Sequence, residues 1–462
     1  MNANSFLSLN LNESILKVLK EISFSEMTPI QAASLPLLLS GQDLIGQSKT
    51  GSGKTAAFVI PILQKIVVSD FKPQALILCP TRELCDQVLK ECQKFSKYIL
   101  NFRTVALVGG QPYPAQIDDL EHGVHLIVGT PGRTLEHFKS GHVDASQLKT
   151  FVLDEADRLL EEGFADEMKA IIEQLPKDRQ TVFFSATFPE SMEELSRLYQ
   201  KNVKRVTIKE SAQSGPTIQQ FVYAAEKPQK IETLIQILQT HPSMSTLVFC
   251  RTKAAVDEIG KLVAESKVSS QILHADLKQV DRDRATALFR NGSLRILVAT
   301  DVAARGLDID TLELVINFDL PVSTDIYIHR IGRTGRAGRK GTAVSIVTEY
   351  EIPLMAEIEK ATGVTMIRQN LAPNLSKKLN SEFQKTLMKT VQISAGVADG
   401  LSAEQILALL TSGPQAMIKS QIGKIEVQNQ FSFIAVKSTL AEKLLLKLRT
   451  TTFKRYEITL LP

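Results

Sequence analysis

The chain has 462 residues, 44% hydrophobic and 23% charged, the balance of soluble globular domains, and such a length suggests roughly two to four of them. A formal charge of +4 is too small to imply a nucleic-acid partner by itself, so any basic surface must be local. Cys79, Cys85, Cys92 and Cys250 show neither C-x-x-C pairs nor zinc spacing and read as reduced thiols. No stretch approaches the ~18 uninterrupted apolar residues of a membrane span, and no basic-then-apolar leader opens the chain. The expectation is a cytoplasmic protein without a membrane partner.

In chain order, the apolar pair Leu44-Ile45 leads to Gly46 and then to Gly51-Ser52-Gly53-Lys54-Thr55. This fits the phosphate loop G-x-x-x-x-G-K-[ST]. Glycine is required because the backbone must curl, partly at positive φ, until successive N–H groups converge on phosphate oxygens. Ser48, Thr50, Gly51, Ser52 and Gly53 would form that cradle, with Lys54 reaching the β- and γ-phosphates and Thr55 holding Mg²⁺. The helical pattern over 55–67 puts a helix N-terminus, favourable to anions, behind the loop.

Apolar runs at 75–79, 104–108, 125–128, 150–153 and 181–184 alternate with helical patterns. Continuous apolar strands separated by helices predict a parallel sheet covered on both faces, with ligands beyond the carboxyl ends of the strands. Asp154-Glu155-Ala156-Asp157 closes the 150–153 run. Such a cluster in isolation is a solvated helix start. Behind a buried strand and downstream of a phosphate loop, Asp154 suits Mg²⁺ through water, and Glu155 suits the base that orients the attacking water.

A polar stretch at 209–217 reads as a linker. A second alternating region, 218–368, has apolar runs at 246–250, 271–274, 295–299, 314–318 and 343–347 but no phosphate loop. Arg330, Arg333 and Arg336 follow at three-residue spacing, which predicts one basic helical face able to converge on an anion. Opposite another domain's phosphate loop, such arginines stabilise charge during γ-phosphate transfer. After a linker at 369–385, the segments 389–394, 403–410, 422–427, 431–436, 441–448 and 456–461 spell βαββαβ, the order used by RNA-recognition domains. The fold expected is α/β: two RecA-like parallel-sheet domains in tandem (1–208 and 218–368), then a small α+β RNA-recognition-like domain (386–462).

The tetrad D-E-A-D, with Pro80-Thr81-Arg82-Glu83-Leu84, Gly109-Gly110, Thr130-Pro131-Gly132-Arg133 and Ser185-Ala186-Thr187, resembles the DEAD-box RNA helicases, and motifs of that family run in order from Phe6 to about Arg339. The resemblance implies an RNA-stimulated ATPase using ATP and Mg²⁺, acting on RNA as a monomer. In the upstream motif Phe24-Ser25-Glu26-Met27-Thr28-Pro29-Ile30-Gln31, it implies that Gln31 reads adenine, Phe24 stacks on it and Thr28 supports the pocket. Ser23 stands where the family usually has glycine.

By the same resemblance, catalysis falls to Lys54, Asp154, Glu155, Arg333 and Arg336, and Asp308 approaches the ribose. Ser185, Thr187, Asp157 and His329 couple the nucleotide to RNA. Pro80, Thr81, Arg82, Gly110, Thr130 and Arg133 line the RNA path of the first domain, and Arg251, Gln279, Arg282, Thr300 and Asp301 that of the second. Hydroxyls, backbone amides and arginines contact phosphate and ribose without reading bases, so binding should be salt-dependent and largely sequence-blind.

The third region is similar to the C-terminal RNA-binding domain of one bacterial branch of the family, which implies 23S rRNA and pre-50S particles as partners, with Lys424 among the contacts. Where that branch carries a Lys/Arg-rich loop after its first strand, this chain has Gly396-Val397-Ala398-Asp399-Gly400-Leu401. Phe431 and Phe433 alternate as core-facing residues would and make poor base-stacking positions. A protein-docking or folding module is the competing reading of this domain.

Overall fold

The computed structural model describes residues 4–48, 51–208, 218–266, 268–304, 312–335, 340–370, 386–412, 416–428, 430–450 and 452–461. The expected linkers at 209–217 and, beyond Asn370, 369–385 lie outside these residues, as do Thr50, Asp308 and Arg336. The chain divides into two units, Met1–Ser214 and Gly215–Pro462.

The first unit is built on seven parallel strands, β1 (Leu44–Gln47), β2 (Ala75–Leu78), β3 (Thr104–Leu107), β4 (Leu126–Gly129), β5 (Thr150–Leu153), β6 (Gln180–Ser185) and β7 (Lys204–Thr207), in the order β3-β4-β2-β5-β6-β1-β7. Strands β2, β4, β5 and β6 are buried along their whole length, as continuous apolar runs between two helical layers must be. One core, around Phe58, Val88 and Val152, fills one face, and a second, around Phe151, Leu159 and Phe183, fills the other.

The second unit opens with another seven parallel strands, β8 (Ile218–Ala224), β9 (Thr246–Cys250), β10 (Ser270–Leu273), β11 (Ile296–Thr300), β12 (Leu314–Asn317), β13 (Gly341–Val347) and β14 (Ile367–Gln369). Their order, β10-β11-β9-β12-β13-β8-β14, repeats the first sheet strand for strand. The sequence pattern predicts five strands here and misses β8 and β14, as it misses β7. Strand β7 is exposed except at Val206, and β14 is exposed throughout, so neither carries the apolar run of a central strand.

A four-stranded antiparallel sheet, β16-β17-β15-β18, follows, made of β15 (Met388–Ile393), β16 (Ile422–Val427), β17 (Ser432–Lys437) and β18 (Ile458–Leu460). One face, carrying Val391, Ile393, Ile434 and Val436, packs on the helices Ala403–Thr411 and Ala441–Arg449 through Ile406, Leu444 and Leu448. Strand residues of opposite parity turn to the second parallel-sheet domain. Phe433, 1% exposed, joins Leu461 and the partly buried Phe431 in one apolar cluster with Leu273, Leu288 and Phe289. Around that cluster, Asn291 Nδ2 donates to Thr390 Oγ1 (2.7 Å), Ser293 Oγ lies 2.8 Å from the same hydroxyl, and Arg290 pairs with Glu426 at 2.8 Å. The face on which RNA-recognition domains stack bases is here an interdomain contact. Phe431 and Phe433 do face a core, one shared between domains.

All four cysteines are buried and free. Among the described residues, no helix is long and apolar enough to cross a membrane.

Candidate nucleotide and RNA site

The phosphate loop leaves β1 at its carboxyl end and enters the helix Lys54–Lys65. Gly51 and Gly53 adopt φ of +77° and +93°, the left-handed region that the curl demands. A Cβ on Gly53 would strike the Gln31 amide and the Thr28 hydroxyl. Gln31 is 1% exposed; its Oε1 accepts from Thr28 N–H (2.9 Å) and its Nε2 donates to Gly53 O (3.1 Å). The upstream motif is thus fastened to the loop itself, each end of the amide keeping a second hydrogen-bonding valence. Phe24 stands between Phe6 and Phe95, with ring centroids 6.2 and 6.0 Å away.

Lys54, 7% exposed, donates to Ser48 O at 2.8 Å, and Ser48 and Ser52 hydroxyls lie 2.8 Å apart. Asp154 follows β5 and is 3% exposed. Burial pushes its carboxyl up to about 7, opposed by Lys54 and reinforced by Glu155 and Asp157. A divalent cation would favour the ionised form, so Asp154 and Thr55 fit a magnesium site, which asks for one or two carboxylates plus substrate phosphates. No larger group of metal-binding side chains occurs among the described residues. Glu155 has φ of +50°, a conformation costing a non-glycine residue about 1–3 kcal/mol, of the kind stored at functional sites. Its carboxylate is held by Arg158, 3% exposed, one helical turn on.

Asp157 connects this corner to β6. Its Oδ2 accepts from Thr187 N–H (2.9 Å) and Oγ1 (2.8 Å), and its own N–H donates to Ser185 Oγ (3.4 Å). Ser48 N–H in turn donates to Ser185 O (3.1 Å). Phosphate loop, acidic tetrad and Ser185–Thr187 segment form one hydrogen-bonded assembly.

Among the residues expected to line RNA in the first domain, Thr81 caps the helix Arg82–Phe95 through Leu84 N–H (3.2 Å), directly after Pro80. Thr130 stands at the N-terminus of the helix Pro131–Lys139. Gly110 has φ of +73°, and a Cβ there would strike the Arg82 guanidinium, so the glycine lets the arginine close on the backbone. Arg133 Nη1 donates to Gln111 O (3.3 Å) and Gln116 Oε1 (3.1 Å). Sequence reasoning missed Gln116, whose only signal is this long-range contact, and Arg158, detectable as an i,i+3 partner of Glu155.

In the second domain the expected basic helical face is corrected. The helix Thr324–Ile331 stops at Gly332, so Arg333 lies beyond it. Arg330 points inward: it is 2% exposed and forms a bidentate pair with Asp301 (2.6 and 2.7 Å), with further bonds to Asn317 Oδ1 (3.0 Å) and Asp319 O (2.6 Å). Arg333 is 7% exposed, and His329 is half-buried on the preceding turn. Thr300 ends β11, one residue before Asp301. Arg251 N–H donates to Asp319 Oδ2 (2.9 Å) and its Nη2 to Leu320 O (2.8 Å), while the side chain stays 50% exposed. Gln279 opens the helix Gln279–Arg290, three residues before half-buried Arg282. Lys424 lies 3.4 Å from Glu426.

Family models match three segments: DEAD/DEAH box helicase over 28–195, helicase conserved C-terminal domain over 229–338, and DbpA RNA binding domain over 390–460. The chain is 41% identical over 441 residues to ATP-dependent RNA helicase DbpA of Escherichia coli, covering 95% of both proteins, and 39% identical to DEAD-box ATP-dependent RNA helicase CshA of Geobacillus kaustophilus, covering 84% of this chain and 83% of that one. It resembles S. cerevisiae Dbp5 bound to RNA and ADP BeF3 with a TM-score of 0.71 and 34% identity, over 80% of this chain and 96% of that one. This chain belongs to the DEAD-box ATP-dependent RNA helicases and carries an RNA-binding domain of the DbpA type.

Proposed function

We propose that this helicase remodels RNA locally during assembly of the large ribosomal subunit, binding 23S rRNA in pre-50S particles as a cytoplasmic monomer. The observation carrying this reading is the match of 390–460 to the DbpA RNA binding domain, set on a helicase that matches DbpA along 95% of its length.

ATP would lie on the first domain, its phosphates in the curl of Ser48 to Thr55 and its adenine beside Phe24, Thr28 and Gln31. Mg²⁺, held through water by Asp154 and by Thr55, would supply charge neutralisation at the phosphates. Glu155 would orient the attacking water, its carboxylate kept in place by Arg158 and by its own left-handed backbone. Arg333 and Arg336 would complete the site when the two helicase domains close on ATP and RNA together, with Asp308 at the ribose. Thr187 and Ser185, bonded to Asp157, would relay the state of the nucleotide site between the acidic tetrad and the end of β6. A continuous duplex fits the closed track badly, so closure releases one strand, and hydrolysis reopens the cleft.

A second reading, general RNA remodelling without a ribosomal target, is favoured by the third domain's loop. Val397–Asp399 is a turn closed by Asp399 Oδ2 on Gly396 N–H (3.0 Å), and Gly396–Leu401 carries no cation. ATPase rates with total ribosomal RNA, a peptidyl-transferase-region hairpin and unrelated RNA of equal length separate the two. Stronger stimulation by the first two supports the ribosomal target; equal stimulation by all three removes it and leaves a general helicase. Negligible turnover with every RNA would make the protein an RNA clamp.

A further inference from the structure

We propose that Gln116 is a positioning residue for RNA, a buried amide that fixes Arg133 and the Val108–Gln111 turn as one phosphate-binding element. The inference rests on the reading of Arg133 as an RNA contact.

Gln116 sits on the helix Tyr113–Glu121 and is 3% exposed. Its amide makes three bonds: Nε2 donates to Val108 O (2.9 Å), and Oε1 accepts from both Arg133 Nη1 (3.1 Å) and His137 Nε2 (3.0 Å). Because the amide nitrogen already serves Val108, the oxygen must face the two donors, which fixes the orientation of the group. His137 must then carry a proton on Nε2. Burial, followed by the charges of His142 and Arg133, holds its pKa down at about 4, so no second cation forms beside the arginine near neutral pH.

Arg133 is pinned on every side that faces the protein. Besides Gln116, Nη1 reaches Gln111 O (3.3 Å), Nε pairs with Glu136 (2.9 Å), and the guanidinium plane lies over the Tyr113 ring (5.1 Å). Tyr113 is itself stacked on His137, centroids 4.4 Å apart. These contacts engage Nε and Nη1 and leave Nη2 for a phosphate. An arginine held this way loses little side-chain freedom when it binds. One amide thereby couples Arg133 to the turn where Gly110 receives Arg82, although the two motifs lie more than twenty residues apart.

The test is a double-mutant cycle on the whole protein with Gln116→Met, similar in volume but without the amide, and Arg133→Ala. Gln116→Met should raise the RNA concentration for half-maximal ATPase stimulation by ~10-fold. The rate at saturating RNA and the affinity for a fluorescent ATP analogue should be unchanged, and the salt slope should fall by about one. In the Arg133→Ala background it should add less than about twofold, because its effect runs through Arg133. Gln116→Glu, which keeps both acceptor bonds but loses the donor to Val108 O and offsets the charge of Arg133, should weaken RNA binding at least as much as Gln116→Met does. A Gln116→Met effect that multiplies fully with Arg133→Ala, or that lowers ATP affinity equally, would reduce Gln116 to a folding role and overturn the proposal. No effect of Arg133→Ala on RNA would instead refute the assignment of Arg133, and the inference with it.

Discussion

The two parallel sheets share a strand order, yet only the first carries a phosphate loop. In the first, β1 runs through left-handed glycines into a helix that begins at Lys54. In the second, the matching strand β8 runs through the proline-containing turn Lys227–Gln229 into a helix that begins at Lys230. Acids correspond as well: Glu155 and Asp319 each stand two residues beyond the matching strands β5 and β12. Among the described residues Lys54 donates to a loop carbonyl and can be recruited by phosphate, whereas Lys230, 5% exposed, pairs with Asp319 at 3.0 Å and lies near Glu351. Without glycine, no nest of N–H groups forms, and the lysine and acid of the second sheet neutralise one another. One topology therefore yields a reaction site or an internal strut, depending on a few loop residues.

The largest expected effect sharpens this contrast. Glu155→Gln should lower RNA-stimulated ATPase turnover by about 10²–10³-fold, since it removes the group proposed to position water, with nucleotide binding retained. Asp319→Asn, at the matching position, should leave nucleotide binding intact but destabilise the fold by about 3 kcal/mol in denaturant titrations, because buried Lys230 loses its charged partner. Next, Phe433→Ala should cost about 3 kcal/mol and loosen the third domain from the second, read as faster proteolysis between 369 and 386; unchanged cleavage would contradict the docking. The smallest effect is a gain. Ser23, at φ +58°, follows the helix Glu13–Glu21 with Ser23 N–H on Lys20 O (3.1 Å) and Phe24 N–H on Leu19 O (2.8 Å). This left-handed helix ending favours glycine, so Ser23→Gly should stabilise by about 1 kcal/mol in thermal melts, with activity unchanged.

Much of this was legible in the sequence wherever function concentrates local signals. The phosphate loop, the tetrad and the buried strands announce themselves because glycine geometry, strand-end acids and double-sided burial each constrain consecutive residues. Edge strands β7 and β14 were not legible, since water on one or more sides removes the apolar run. Arg330 misled for a related reason. Three-residue spacing implied a shared face, but the helix ends at Gly332, and Asp301, twenty-nine residues upstream, draws the guanidinium inward. The docked sheet of the third domain was invisible for the same cause, its partners Thr390, Asn291 and Glu426 being ordinary polar residues until the fold brings them together.

The most direct test of the account is nucleotide binding by Lys54→Ala and Lys230→Met in the whole protein, measured side by side with a fluorescent ATP analogue and with thermal melts. The account predicts that Lys54→Ala loses binding and RNA-stimulated turnover at nearly unchanged melting temperature, while Lys230→Met melts earlier yet binds nucleotide as the parent does. Retained turnover in Lys54→Ala, or loss of nucleotide binding in a well-folded Lys230→Met, would contradict it.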